Sequence, residues 1–166
     1  MSSTLALPLF LSAAQGERFT IIGGGVRILI DGASSGGQCC MFEALIPPGD
    51  GPPRHRHQRE DELFYVLDGR FRISIDGRES VVERGGFACA PRGTIHTFKN
   101  IGDSTGVLLV TCTPAGIETP FRAIRIPEPR DAPDRRTPAP AAAPTMEHVT
   151  AELAAHGITF HGPPLE

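Results

Sequence analysis

Two stretches of the chain concentrate side chains able to bind a metal ion. In Arg54-His55-Arg56-His57 the histidines are two residues apart. Side chains on a β-strand alternate between faces, so both imidazoles project from one side and both arginines from the other. Glu62 follows after a bend and opens the run Glu62-Leu63-Phe64-Tyr65-Val66-Leu67. Two imidazoles and a carboxylate converging from adjacent strands make a facial arrangement that leaves metal positions open to substrate or oxygen. In the second stretch Pro91 and Gly93 set a turn, and His96 stands just inside the strand that follows.

The elements that must hold these groups are short strands. Residues 19–22, 26–30, 38–46, 54–57, 62–67, 70–75, 80–83, 87–90, 95–100 and 107–113 read as strands separated by Gly, Pro and Asp-Gly turns. That spacing indicates a sandwich or barrel. The clearest hairpin is Phe71-Arg72-Ile73-Ser74-Ile75 running into Asp76-Gly77, with Phe71, Ile73 and Ile75 facing inward. The strand 62–67 is apolar on both faces beyond Glu62, so its outer face asks for cover from an N-terminal strand, the C-terminal tail or a second subunit. Gly23-Gly24-Gly25 reads as a turn between strands, because no Lys-Ser/Thr or capped helix follows to make a phosphate loop.

The segment from Gly49 to Gly69 resembles the first motif of the cupin superfamily, G-x5-H-x-H-x4-E-x6-G. Gly85 to Asn100 resembles the second, G-x5-P-x-G-x2-H-x3-N, and 15 residues separate the two. Every fixed position matches. More loosely, the stretches from Glu60 to Gly69 and from Ala90 to His96 are similar to single-domain quercetin-dioxygenase-like cupins. The Asp that often follows the opening Gly of the second motif is Gly86 here. The resemblance covers residues 19–116 and implies an all-β double-stranded β-helix, a jelly-roll barrel, with a metal deep in its mouth. It implies His55, His57, Glu62 and His96 as the ligands of one divalent transition metal: Fe, Mn, Ni, Co, Cu or Zn. The absence of thiolate ligands argues against a structural zinc site.

Strand phase suggests Phe64, Val66, Phe71, Ile73 and Phe98 as pocket lining, with Arg92 only at the rim. Such a pocket suits a small apolar or aromatic organic molecule. The expected function is an oxygen-using dioxygenase acting on a small enol, phenol or diketone, with Glu62 as the base. The alternatives are a non-oxidative metal-dependent isomerase, lyase or decarboxylase, and a non-catalytic binding cupin. No Ser-His-Asp or Cys-His arrangement offers a nucleophile instead.

Composition narrows the partners. The 166 residues carry a net charge of −3 and a hydrophobic share of 40%, enough for one core and no basic footprint for nucleic acid. No run approaches the length of a membrane span. Residues 1–18 read as an N-terminal arm whose apolar start is a packed strand, since it lacks the charged leader of a secretion signal. Four cysteines, Cys39, Cys40, Cys89 and Cys112, read as buried reduced thiols, consistent with cytoplasm. The 117–166 extension contains a Pro-rich linker at 127–144 and a short helix at 145–156, capped by Thr145, striped by Met146, Val149 and Leu153, and stopped by Gly157. A helix this short must dock in cis or on a partner. Together with the two-sided strand it predicts a homodimer. His148, His156 and His161 read as surface residues.

Overall fold

The computed structural model describes residues 8–127 and 143–166. Ten strands occupy the region read as a barrel: β1 (Glu17–Ile21), β2 (Gly24–Ile30), β3 (Cys40–Ile46), β4 (His55–His57), β5 (Asp61–Asp68), β6 (Arg70–Ile75), β7 (Arg78–Glu83), β8 (Phe87–Ala90), β9 (Ile95–Asn100) and β10 (Gly106–Thr113). Two short strands follow, β11 (Ile126–Pro127) and β12 (Ile158–Phe160), with helices α1 (Gly32–Ser35), α2 (Glu118–Ala123) and α3 (Met146–Ala155). A seven-stranded sheet in the order β11-β1-β2-β3-β10-β5-β8 faces a five-stranded sheet in the order β12-β4-β9-β6-β7. Every pairing is antiparallel. This is the jelly-roll architecture that the motifs imply.

Alternation along the strands stacks the interior in tiers. In β3 the buried residues are Cys40, Phe42, Ala44 and Ile46, and register sets them opposite Cys112, Val110, Leu108 and Gly106 of β10. Glu62, Phe64 and Val66 of β5 meet the same β10 residues from the other side. On the second sheet Ile75, Ile73 and Phe71 of β6 oppose His96, Phe98 and Asn100 of β9. The polar residues thus share one end of the barrel, and Phe64, Phe71 and Phe98 fill the tiers below in edge-on contacts, 5.7 Å between Phe64 and Phe98 and 6.1 Å between Phe71 and Phe98. Asn100, the last residue of the second motif, is fully buried and donates to the Ile46 and Ser104 carbonyls, both at 2.8 Å. It fastens the closed end.

The hairpin turn is as read: Asp76 and Gly77 have φ of 46° and 77°, and Ile75 pairs with Arg78 across them. Before β4 the loop runs so close to β9 that a Cβ on Gly51 would collide with the Phe98 carbonyl oxygen. Glycine there is a steric requirement.

The extension docks in cis. Thr145 caps α3 by accepting from the His148 N–H, and Gly157 adopts φ 85° just beyond its end. Val149 and Leu153 are buried, whereas Met146 is 54% exposed, so the docked stripe is shorter than expected. Strand β12, too short to carry a periodic signal, then adds to β4. The Pro-rich linker reading falls mostly on residues outside the described ones.

Two expectations need correction. Residues 8–15 form no strand, and Leu9, Phe10 and Leu11 are exposed. Arg27 holds this arm through the Ser12 and Gln15 carbonyls, and backbone committed to side-chain donors makes no ladder. Cys89 lies exposed on β8, where an odd residue of a four-residue edge strand points outward, while Cys40 and Cys112 are buried as read. On the outer face of β5 and β8, Tyr65, Leu67 and Phe87 are exposed. Among the described residues, no helix is long and apolar enough to cross a membrane.

Candidate metal centre

β4 presents His55 and His57 on its buried face, and His55 pairs directly with His96 of β9. Glu62 enters from β5 on the opposite sheet. The four residues are all buried, and one ligand atom from each lies within 4.8 Å of the others. The Glu62 Oε2 atom is the hub, 2.7 Å from His96 Nε2, 3.6 Å from His57 Nε2 and 3.9 Å from His55 Nε2.

The far side of each ring shows what the near side is for. His55 Nδ1 lies 2.8 Å from the Pro53 carbonyl and His96 Nδ1 3.2 Å from the Thr94 carbonyl. A carbonyl only accepts, so each Nδ1 carries a proton; His55 Nε2 keeps its lone pair toward the hub, and His96 Nε2 is hydrogen-bonded there to the Glu62 carboxylate at 2.7 Å. His57 has no such carbonyl. Its Nδ1 faces Glu60 Oε2 at 3.5 Å, both atoms are buried, and neither has another hydrogen-bond partner. Three imidazole Nε2 atoms and a carboxylate aimed at one point, each ring held from behind, fit a transition-metal ion. Glu60 was given no role in the sequence, where it only opens the stretch from Glu60 to Gly69.

Electrostatics agree with the geometry. Burial, and then the neighbouring His96, lower the His55 pKa to about 3, so that ring is neutral. Burial also opposes charge on His57, but the Glu62 and Glu60 carboxylates outweigh it and raise that pKa. For Glu62 the opposing cost of burial is overcome chiefly by His57 and by the His96 hydrogen bond, which bring it down to about 2. The carboxylate is ionised across the neutral range.

A cavity of about 90 Å³ adjoins His55, His57 and Glu62. Of the five residues taken from strand phase as lining, Phe98 alone reaches it. Phe64, Val66, Phe71 and Ile73 face inward as expected but belong to the packed tiers, Phe64 backing His96 with ring centres 6.1 Å apart. Alternation tells inside from outside; it does not tell depth. The walls come instead from the seven-stranded sheet (Val26, Phe42, Val110), from the α2 region (Ile117, Phe121, Ile124) and from the extension (Val149, Leu153, Ile158, Phe160). No lysine or arginine lines it. Arg92 is at the surface as read, bound to Asp61 at 2.8 Å.

Comparison with known proteins places this geometry. The cupin domain model matches residues 42–112. Quercetin 2,3-dioxygenase of Bacillus subtilis is 28% identical over 116 residues, 70% of this chain and 34% of that protein. The polyketide synthase CurC of Streptomyces cyaneus is 29% identical over 96 residues, 55% of this chain and 60% of that protein. The chain thus spans about a third to three fifths of the length of these relatives. The solved RmlC-like cupin of Shewanella frigidimarina superposes with a TM-score of 0.59 at 21% identity, covering 70% of this chain and 99% of that one. With both motifs intact, the jelly roll formed and the three histidines and glutamate gathered at one point, residues 42–112 of this chain form a cupin domain.

Proposed function

We propose that the protein is a metal-dependent dioxygenase acting on a small enol, phenol or diketone. The observation that carries this reading is the convergence of three imidazoles and Glu62 at the wall of an apolar cavity. A divalent transition ion held by His55, His57, Glu62 and His96 would supply Lewis acidity toward a chelating oxygen and, if redox-active, the electron transfer that oxygen chemistry requires.

The chain's own residues do the rest. The buried Glu62 carboxylate, ionised at neutral pH, accepts the proton that an enol or phenol gives up. The aliphatic and aromatic walls hold the carbon skeleton and exclude water from the reacting centre. The relatives support the substrate class. One is named for oxidising a flavonol, an enol within a phenolic ring system. Another is named for polyketide synthesis, the chemistry of repeated β-dicarbonyls and phenols.

The test is an oxygen electrode, with protein reconstituted separately with Fe(II), Mn, Co, Ni and Cu and offered β-diketones, catechols and flavonols. At least one pair is expected to consume oxygen, and Glu62→Gln to reduce turnover far more than metal content. Conversion without oxygen uptake would replace this reading with a metal-dependent isomerase or lyase. Binding without turnover would leave a binding cupin.

A further inference from the structure

We propose that the α3–β12 segment decides which molecules reach the metal site, restricting them to a single small short-chain chelator with no more than one negative charge. This deepens the function proposed above and rests on it.

The segment lies outside the matched cupin domain, residues 42–112. It is nonetheless built into the site. β12 pairs along the ligand-bearing strand with Ile158 opposite His57 and Phe160 opposite His55. Directly opposed residues of an antiparallel pair project from the same face. Ile158 and Phe160 therefore stand beside the two imidazoles and line the same cavity. From the helix, Val149 and Leu153, four residues apart and so on one face, complete that wall.

Size and charge follow from this wall. With the segment in place the cavity is about 90 Å³. An apolar protein cavity of roughly 150 Å³ is known to admit benzene, so this smaller one takes no more than the short apolar body of a chelator whose oxygens stay at the ligand cluster, and a three-ring flavonol has no room here. The lining offers no lysine or arginine, and the Glu62 carboxyl stands at its edge. A dianion entering beside it would find no donor on the protein to offset its second charge. An acyclic β-diketone matches the site: two oxygens for chelation, one ionisable proton and a short apolar body.

The experiment measures binding to the full-length, Ni- or Co-loaded protein, using acetylacetone and the flavonol quercetin as probes and metal-centred absorption as the readout. Wild type is expected to prefer acetylacetone by about tenfold or more. The double substitution Leu153→Ala with Phe160→Ala opens the wall and is expected to raise quercetin binding about tenfold or more. Leu153→Phe narrows it and is expected to weaken acetylacetone with metal content retained. Circular dichroism and metal analysis establish that each variant is folded and loaded, and the narrowing variant carries the test if the opened one is not. A wild type that binds both probes equally, or neither, overturns the inference, as does an unchanged preference in folded, loaded variants. Because the readout is binding, a size preference without oxygen uptake rejects the oxygenase reading and keeps this one. Oxygen uptake with quercetin as good a ligand as acetylacetone does the reverse.

Discussion

Glu60 and Glu62 sit two residues apart, one just before β5 and the other within it, yet they hold different positions toward the same histidine. Glu62 faces the Nε2 side of His57 at 3.6 Å, and Glu60 faces the Nδ1 side at 3.5 Å. Since Glu60 Oε2 and His57 Nδ1 are buried and have no other hydrogen-bond partner, each is the other's recourse. Glu60 thereby fixes the ring's tautomer as the Pro53 and Thr94 carbonyls fix those of His55 and His96. Removing such a support typically weakens metal affinity about 10–100-fold. Glu60→Ala is therefore expected to lose that much in a competition titration against a chromophoric chelator. Glu60→Gln keeps an acceptor oxygen and should lose less. Equal affinity in wild type and Glu60→Ala would remove Glu60 from the site. For the ligands themselves, His57→Ala or His96→Ala should release most of the metal while the β-sheet circular dichroism persists. The three remaining donors bind far less well, whereas the aromatic tiers beneath do not depend on them.

At the scale of elements, the barrel strands were legible because each is a run of alternating residues ended by Gly, Pro or Asp-Gly. All ten read from the sequence are present, with ends shifted by a few residues. What escaped is short or non-local. Ile158-Thr159-Phe160 is too brief for periodicity, and its pairing with β4 spans about a hundred residues. No local pattern places Ile117, Phe121, Ile124, Val149 and Leu153 on one cavity, so the walls were misassigned, whereas the four side chains that the motifs name as ligands do gather at one point. Helix α2 was likewise unread, and it is fastened by charge. Arg122 bridges Glu17 of β1 and Asp31, each at 2.8 Å, and Asp31 also caps α1 by accepting from the Ser34 N–H. The Arg122 hydrogen bond is the main reason the Asp31 pKa is lowered. A carboxyl with a depressed folded pKa contributes stability above its unfolded value near 3.9, and loses it as pH falls through the folded one. These pairs are partly exposed, so Arg122→Ala is expected to cost only about 1 kcal/mol at pH 7 in urea unfolding. The difference from wild type should shrink toward pH 3. A cost that stayed constant down to that pH would mean the guanidinium acts by packing alone.

For the whole molecule, docking of the extension in cis removes one of the two grounds for expecting a homodimer and leaves the exposed Tyr65, Leu67 and Phe87 as the other. The same docking ties the metal site to global stability. The ligands come from β4, β5 and β9, so the site spans both sheets, and β12 adds the extension to the first of those strands. Unfolding disperses the four side chains, so an ion that binds them binds the folded state alone. A ligand present at about a hundred times its dissociation constant then stabilises by about 2.7 kcal/mol. A domain of this size shifts its Tm by roughly 2–4 °C per kcal/mol. Stripping the metal with a chelator is therefore expected to lower the Tm by about 5–10 °C, and restoring the ion to recover it. The control is the double substitution His57→Ala with His96→Ala, whose Tm the chelator should leave in place. A chelator effect of equal size in that variant would mean that the stabilising ion sits elsewhere on the protein, whatever the cluster itself can bind.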